Sequence, residues 1–449
     1  MELVQKVVTK TEVKPVGDDL ERKIRDRSAQ LGIIGLGYVG LPLAVEMAQQ
    51  GFRVTGIDID GNKVESVNAG ISYVSGLPNE SLLRAIDNGT IRATQSFAAV
   101  EALDTVSICV PTPLRKTRDP DLSYIIAAVE AVHNHLTPGK LIVLESMAYP
   151  GTTREVVLPI LEKSGLKAGR DFFLAYSPKP LDPSNPAVTT HNFPKVIGGI
   201  TPHCTELATL LYQLFVKRMV AVSSAESAEM VKLLENTFRI INIALADEMA
   251  RMCRKFDINV WEVIDAVSTE PFGFMPSFYR RSGRGGHRVP VDPYYLSWKA
   301  GMNGFEPRLI ELAAVINNGM PAFTINWIAD ALNKNKKSIN GAHILALGIA
   351  YKRDTNDTRD SPSLDVIKGL QEKGAIVSYS DPHVPFIRLE HKKMKSTPIT
   401  PAVLNSMDCA VILTDHSAFN YSMISGHAKL ILDCQNALRG YSGSNVMRL

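Results

Sequence analysis

The chain has 449 residues, enough for two to four domains with real cores. A hydrophobic fraction of 45%, a charged fraction of 21% and a net charge of +3 are those of an ordinary globular protein, with no reason to expect nucleic acid or a membrane surface as partner. No uninterrupted apolar run approaches the roughly 18 residues of a bilayer span. The five cysteines (Cys109, Cys204, Cys253, Cys409 and Cys434) are scattered without metal-ligand spacing, which predicts reduced thiols, no metal and a cytoplasmic location.

Residues 1–28 read as an extension, charged and without the apolar segment of a secretory signal. VVTKTEV has the makings of a short strand and DDLERKIRDRSAQ those of a polar helix or linker. Folding proper starts at LGIIGLGYVG. Short apolar strands at 31–35, 53–58, 105–110, 141–145 and 172–176 alternate with helical stretches, which predicts a parallel sheet with crossover helices. From residue 223 to about 256 the pattern is helical without Pro or Gly, and Ser223 or Ser224 is placed to cap it. A helix that long exceeds the usual globular length and is expected to bridge two domains. DINVWEVIDAVS follows as a second helix, then a Gly-, Pro- and Arg-rich stretch over 271–293, then more helix to about 335. At HILALGIAYK (343–352) strand patterning returns. With a helix over 362–373 and the runs AIVSYSD, DCAVILTD and AKLILDC, it predicts a second open α/β sheet.

Gly35-Leu36-Gly37-Tyr38-Val39-Gly40 follows an apolar strand and opens a helix. Gly35 allows a tight turn, Gly37 lets the backbone approach a pyrophosphate, and Gly40 lets the helix pack on the strand. The helix N-terminus then faces the phosphates with free N–H groups and its positive dipole end. Asp58 closes the next strand, where an acidic residue hydrogen-bonds ribose hydroxyls and repels a 2′-phosphate. The cofactor predicted is NAD. Asp60 is an alternative to Asp58, but Asp58 sits better at the strand end.

With these motifs the chain resembles the UDP-glucose/GDP-mannose dehydrogenase family, and is most like its UDP-N-acetylglucosamine and UDP-N-acetylmannosamine 6-dehydrogenase branch. The motifs that carry the likeness are GLGYVGLPLA (35–44), CVPTPL (109–114), YPGTT (149–153), LLENTFR (233–239), GGH with PVDPYYL (285–287, 290–296) and GIAYKRDTNDTRDSP (348–362). They run from about residue 30 to 440. The resemblance implies an α/β fold of two Rossmann-like, doubly wound parallel-sheet domains joined by a long helix and a central all-α domain. It places an NAD-binding domain over 29–222, a central helical dimerisation domain over 223–320 and a UDP-binding domain over 321–449. It implies a UDP-sugar substrate and a homodimer.

Residue by residue, the resemblance adds Tyr38, Val39, Lys63, Pro111, Thr112 and Glu145 to the cofactor side. Thr112 faces the nicotinamide and positions a water. Lys232 and Asn236, four apart and so on one helix face, hold sugar oxygens and stabilise developing negative charge. Asp292 is a base or water-orienting group. Tyr351, Lys352 and Arg359 hold the nucleotide half, and Arg308 reaches the partner subunit's sugar site.

The departures fall at the chemistry. Family members carry Cys after Gly-Gly-His, and this thiolate adds to the intermediate aldehyde on the way to a thioester. Here Arg288 stands there, a permanently protonated group that is no nucleophile. Where the family reads Ser-Pro-Glu-Arg, this chain has Ser177-Pro178-Lys179-Pro180, so the acid/base glutamate is a lysine. Met147 replaces a threonine before Tyr149-Pro150-Gly151, and Arg280, Arg281 and Arg284 enrich the approach to Gly285. Three readings follow. The first is an oxidoreductase of altered chemistry that makes one hydride transfer, or that seats a UDP-hexuronate carboxylate against Arg288 and Lys179. The second is an inactive NAD- and UDP-sugar-binding paralogue with a regulatory or structural role. The third is an ordinary two-step 6-dehydrogenase.

Overall fold

The computed structural model describes residues 16–74, 76–115, 117, 119–178, 194–269, 292–390 and 392–449. The chain forms two compact units, residues 1–232 and 233–449.

The first unit opens on α1 (Val16–Arg25), which the sequence sets apart as extension. Its Leu20 and Ile24 are buried in the same core as the first strand, and Lys23 pairs with Asp104 at 2.9 Å. There follow β1 (Gln30–Ile34), α2 (Gly40–Gln49), β2 (Arg53–Ile57), α3 (Gly61–Asn68), α4 (Asn79–Asp87), β3 (Ile91–Thr94), β4 (Thr105–Ile108), α5 (Ser123–His133), β5 (Leu141–Leu144), α6 (Leu158–Glu162), β6 (Phe173–Tyr176), β7 (Lys195–Gly199), α7 (Pro202–Tyr212) and β8 (Met219–Ala221). The sheet order is β3-β2-β1-β4-β5-β6-β7-β8. Strand order reverses between β1 and β4, and in open α/β sheets ligands bind outside the carboxyl ends of the strands at that point.

Neighbouring strand residues feed opposite cores, as a pleat of period two requires. Leu141, Val143, Phe173 and Ala175 pack with α1, α2 and α7, whereas Ile142, Leu144, Leu174 and Tyr176 pack with α5 and α6.

The strands expected at 31–35, 53–58, 105–110, 141–145 and 172–176 are all present, while the one expected at VVTKTEV lies outside the described residues; three short strands join them, and β7 runs antiparallel to β6 with Tyr176 opposite Gly198. No strand is expected at Gly198-Gly199, since glycine weakens a strand interior. The tertiary structure explains the pair: a Cβ on Gly198 would strike Ser224 O, and one on Gly199 would lie 2.5 Å from Thr205 N.

The predicted long helix is α8 (Ala225–Lys255), which begins in the first unit and ends in the second. Ser224 caps it, its Oγ accepting Ser227 N at 3.1 Å. In the second unit α9 (Val260–Val267), α10 (Asp292–Met302), α11 (Arg308–Asn318) and α12 (Met320–Lys334) precede the second sheet. That sheet runs β10 (Ile376–Ser380), β9 (His343–Leu347), β13 (Cys409–Ile412), β14 (Ile431–Asp433), β15 (Val446–Arg448), all parallel. Helices α9, α12 and α13 (Pro362–Glu372) cover one face; α14 (Pro401–Ser406) and α15 (Tyr421–His427) cover the other. A hairpin of β11 (Phe386–Leu389) and β12 (Lys392–Lys395) escapes sequence reasoning because β12 is lysine-rich and neither strand alternates apolar with polar residues.

Candidate active site

The glycine turn leaves β1 at the switch point. Gly35 has φ +91°, and a Cβ there would lie 2.5 Å from Cys109 O. A Cβ on Gly40 would collide with Gly35 O. These two glycines therefore serve the packing of the protein itself. Gly37 differs: a Cβ built on it meets no protein atom within 4 Å. Its backbone is open to approach from solvent, as a pyrophosphate seated on the main chain requires. Val39 stands at the N-cap of α2 with no side chain accepting there; in the first turn Leu41 N donates to Gly37 O and Leu43 N to Val39 O, Pro42 has no N–H, and the positive end of the helix dipole faces the turn. Tyr38 and Val39 are half-buried beside this cradle. The arrangement fits a dinucleotide pyrophosphate.

Asp58 is 6% exposed. Its Oδ2 accepts Leu36 N at 2.7 Å and Lys63 Nζ at 3.3 Å, and its Oδ1 accepts Asp60 N at 3.0 Å. The carboxylate thus ties the end of β2 to the glycine turn and holds Lys63 beside it. Asp60 is spent as the N-cap of α3, accepting Asn62 N. Asp58→Asn places an amide against the Leu36 N–H and removes the charge. NAD affinity is expected to fall about 10- to 100-fold, as read by titration calorimetry; unchanged affinity would take Asp58 out of the ribose site.

Pro111 and Thr112 lie in the turn after β4, with Pro111 exposed and Thr112 6% exposed. This turn is anchored to the loop after β5. Ser146 Oγ accepts Val110 N at 2.9 Å and donates to Val110 O at 3.0 Å, while Glu145 N and Ser146 N both reach Ile108 O.

The Glu145 side chain is occupied elsewhere. Lys195 Nζ lies 2.8 Å from its Oε2, with both side chains 2% exposed, and Tyr212 donates to its Oε1. Tyr212 also meets Ser107 Oγ at 3.0 Å, and burial with the Glu145 charge raises its phenol far above the ordinary value. Sequence reasoning missed this cluster, since Lys195 and Tyr212 carry no local signal.

Glu229, on the first turns of α8, is fully buried. Its carboxylate accepts Gly151 N at 2.6 Å, Thr153 N at 2.8 Å and Thr153 Oγ1 at 2.7 Å. Those donors open the π-helical turn Thr152–Val157. Burial pushes the carboxyl from 4.5 up to about 7 although all three donors pull the other way; the ion pair of Glu226 with Arg154 lies alongside. A folded value above the unfolded one means that this contribution to stability is complete below about 4.5 and is lost as pH rises through about 7. Between pH 5 and 8, wild type is expected to lose up to about 3 kcal/mol relative to Glu229→Gln, measured by thermal unfolding. A constant difference across that range would mean the carboxyl does not titrate there.

Lys232 is half-buried and Asn236 5% exposed, four residues apart on α8. Asp292 is the first residue of α10. Arg288 and Lys179 lie outside the described residues, as do Arg280, Arg281 and Arg284. The loop after β9 turns at Gly348, φ +78°. Asp381 holds that loop, its Oδ2 accepting Ile349 N at 2.8 Å and His416 Nε2 at 3.0 Å. Asp381 is thus the counterpart of Asp58 at the end of the second strand of the second sheet. Tyr351 and Lys352 are half-buried on this loop, and Arg359 forks onto Asp357 with Nε–Oδ1 at 2.9 Å. Arg308 opens α11, 85% exposed, and pairs with Glu306 at 3.3 Å. All five cysteines are free. Among the described residues no helix is long and apolar enough to cross a membrane.

Comparison with known proteins agrees with this geometry. The NAD-binding domain of the UDP-glucose/GDP-mannose dehydrogenase family matches residues 29–216, its central domain 226–319 and its UDP-binding domain 345–440. A UDP-N-acetyl-D-mannosamine dehydrogenase of Pyrococcus horikoshii is 34% identical over 416 residues, covering 91% of this chain and 96% of its own. A UDP-N-acetyl-D-glucosamine 6-dehydrogenase of Pseudomonas aeruginosa is 32% identical over 395 residues, covering 88% and 92%. The solved structure of a UDP-D-ManNAc dehydrogenase from Pyrococcus horikoshii superposes with a TM-score of 0.84 at 32% identity, over 93% of this chain and 98% of that one. The match along all three domains and over nine-tenths of the chain makes this protein a member of the UDP-glucose/GDP-mannose dehydrogenase family, an NAD-dependent oxidoreductase.

Proposed function

We propose that this protein oxidises a CH–OH group of a UDP-sugar by a single hydride transfer and does not carry the alcohol through a thioester to the acid. The observation that carries this is the glycine turn with open space over Gly37 and the Asp58 carboxylate tied to it, in the same chain as Gly285-Gly286-His287-Arg288, where the family resemblance puts the nucleophilic cysteine. NAD, when bound, accepts the hydride. Gly35, Gly37, Gly40 and the α2 N-terminus hold its pyrophosphate, and Asp58 with Lys63 holds the ribose. Thr112 positions water beside the reacting carbon. Lys232 and Asn236 steady the sugar oxygen as its proton leaves and charge develops. Asp292 takes that proton or orients the water that does.

Arg288 is no nucleophile, and no free cysteine of the chain occupies its place. Arg288 and Lys179 instead supply two positive charges suited to a carboxylate. The substrate class this favours is a UDP-hexuronate, oxidised at a carbon other than C6. The protein is proposed to work in the cytoplasm as a homodimer. Leu234, Phe238, Leu245, Met252 and Phe256 along α8, and Leu309, Leu312 and Val315 on α11, are all 39% exposed or more, an apolar surface that a second copy would cover.

The test is NADH formation with UDP-hexoses and UDP-hexuronates, with products followed by NMR. Reduction of NAD with a UDP-hexuronate and a keto product supports the proposal. A C6 acid formed from a UDP-hexose by the wild type overturns it, and NAD binding without turnover on any sugar identifies a binding protein. The double variant Arg288→Cys/Lys179→Glu is expected to gain C6 oxidation of a UDP-N-acetylhexosamine.

A further inference from the structure

Two features of the first unit are set apart in sequence and brought together by one side chain. The turn Tyr149–Thr153 follows β5, in the loop that the family resemblance puts on the nicotinamide side; Lys232 stands on α8. Glu229 lies three residues before Lys232, hence on the same side of the helix nearly one turn away. Its carboxylate is fully buried and takes two backbone N–H groups of the turn, Gly151 at 2.6 Å and Thr153 at 2.8 Å, as well as Thr153 Oγ1. A second tie runs beside it, from Arg154 of the turn to Glu226 of the helix. From the turn the connection continues through Ser146 to Val110 and so to the turn that bears Thr112.

An ordinary helix N-cap is supplied by the residue just before the helix. Here the acceptor for the N–H groups that open Thr152–Val157 comes from another helix, 78 residues along the chain. Ala225 and Ala228, small and buried, bring that helix close against the β-sheet core. A carboxylate holding two backbone N–H groups and a hydroxyl at once has little freedom to slide.

We propose that Glu229 is a positioning residue for hydride transfer: it locks the nicotinamide-side turn to the helix turn that carries Lys232, so that cofactor and ammonium are set in one frame. The proposal rests on the role given above to Lys232. It differs from a purely structural role in what it affects. Loosening the clasp misplaces two reacting partners relative to each other while the pyrophosphate cradle, on β1 and α2, is untouched.

Glu229→Gln preserves shape but presents an amide NH₂ to one of the donors. With a UDP-sugar that supports NAD reduction, kcat is expected to fall about tenfold or more, while the KM for NAD stays within about twofold. An unchanged kcat in a variant whose Gly151 and Thr153 amides exchange faster overturns the proposal. A second measurement needs neither turnover nor the variant. In the wild type, NAD is expected to slow amide exchange both in 149–153 and in 226–232. Protection confined to 149–153 overturns the proposal. Absence of NADH with every sugar, with both segments protected, refutes the dehydrogenase reading and leaves the clasp standing.

Discussion

Gly37→Val is expected to abolish NAD binding while leaving the melting temperature within about 2 °C of wild type. Glycines in such turns are usually irreplaceable for two reasons that are hard to separate, the backbone angle and the space. At Gly37 they separate cleanly. Its φ is not among the positive ones, and a Cβ there meets no protein atom within 4 Å. A valine therefore fits the free protein and occupies the volume where a pyrophosphate must touch backbone. The loss in affinity should exceed about 100-fold. Gly40→Ala is the contrast. Its Cβ collides with Gly35 O, so the helix must move off the strand, and stability falls by about 1–3 kcal/mol before any ligand is considered. Calorimetric titration with NAD and thermal unfolding of both variants check this pair. A Gly37→Val protein that binds NAD normally would place the pyrophosphate elsewhere.

Lys195→Met is expected to cost about 3–5 kcal/mol, a fall of roughly 10 °C in melting temperature for a unit of this size. Lys195 and Glu145 face each other at 2.8 Å with side chains 2% exposed, and the ammonium also lies 4.6 Å above the Tyr212 ring. Removing the cation leaves a buried carboxylate with only the Tyr212 hydroxyl to stabilise it. Replacing both partners, Lys195→Met with Glu145→Leu, removes the uncompensated charge and should restore most of the loss, since buried pairs are often matched by apolar residues of similar volume. If the single and double variants unfold at the same temperature, the two residues do not form a coupled pair. The experiment also locates Glu145: NAD affinity that survives the double variant confines its side chain to the core.

The fold class and the cofactor were legible in the sequence because their causes are local. Alternating apolar strands and helices dictate a parallel sheet whichever residues fill it, and an unbroken helical run from 225 to 255 without Pro or Gly can form one long helix. A glycine turn between a strand and a helix, with an acid at the end of the next strand, binds a dinucleotide through geometry that those few residues build by themselves. That Arg288 cannot serve as a thiolate is likewise legible, since a guanidinium is no nucleophile in any fold.

Other roles depend on residues far apart along the chain. Nothing near Glu145 in sequence says that Lys195 and Tyr212 will claim its oxygens, and nothing near Glu229 says that it will cap a turn 78 residues earlier. Gly198 and Gly199, where no strand is expected from the sequence, belong to an antiparallel one, since the crowding that demands glycine comes from Ser224 and Thr205. Leu20 and Ile24 sit in a segment that reads as an extension and lie in the core, because α7 and the sheet provide an apolar surface for α1 that its own polar sequence does not announce. Sequence pattern determines structure wherever the interacting groups lie within a few residues of one another. Tertiary structure decides wherever a buried charge or a missing Cβ has its partner on another element, because burial raises the energy of an unpaired group enough to select which distant residue must meet it.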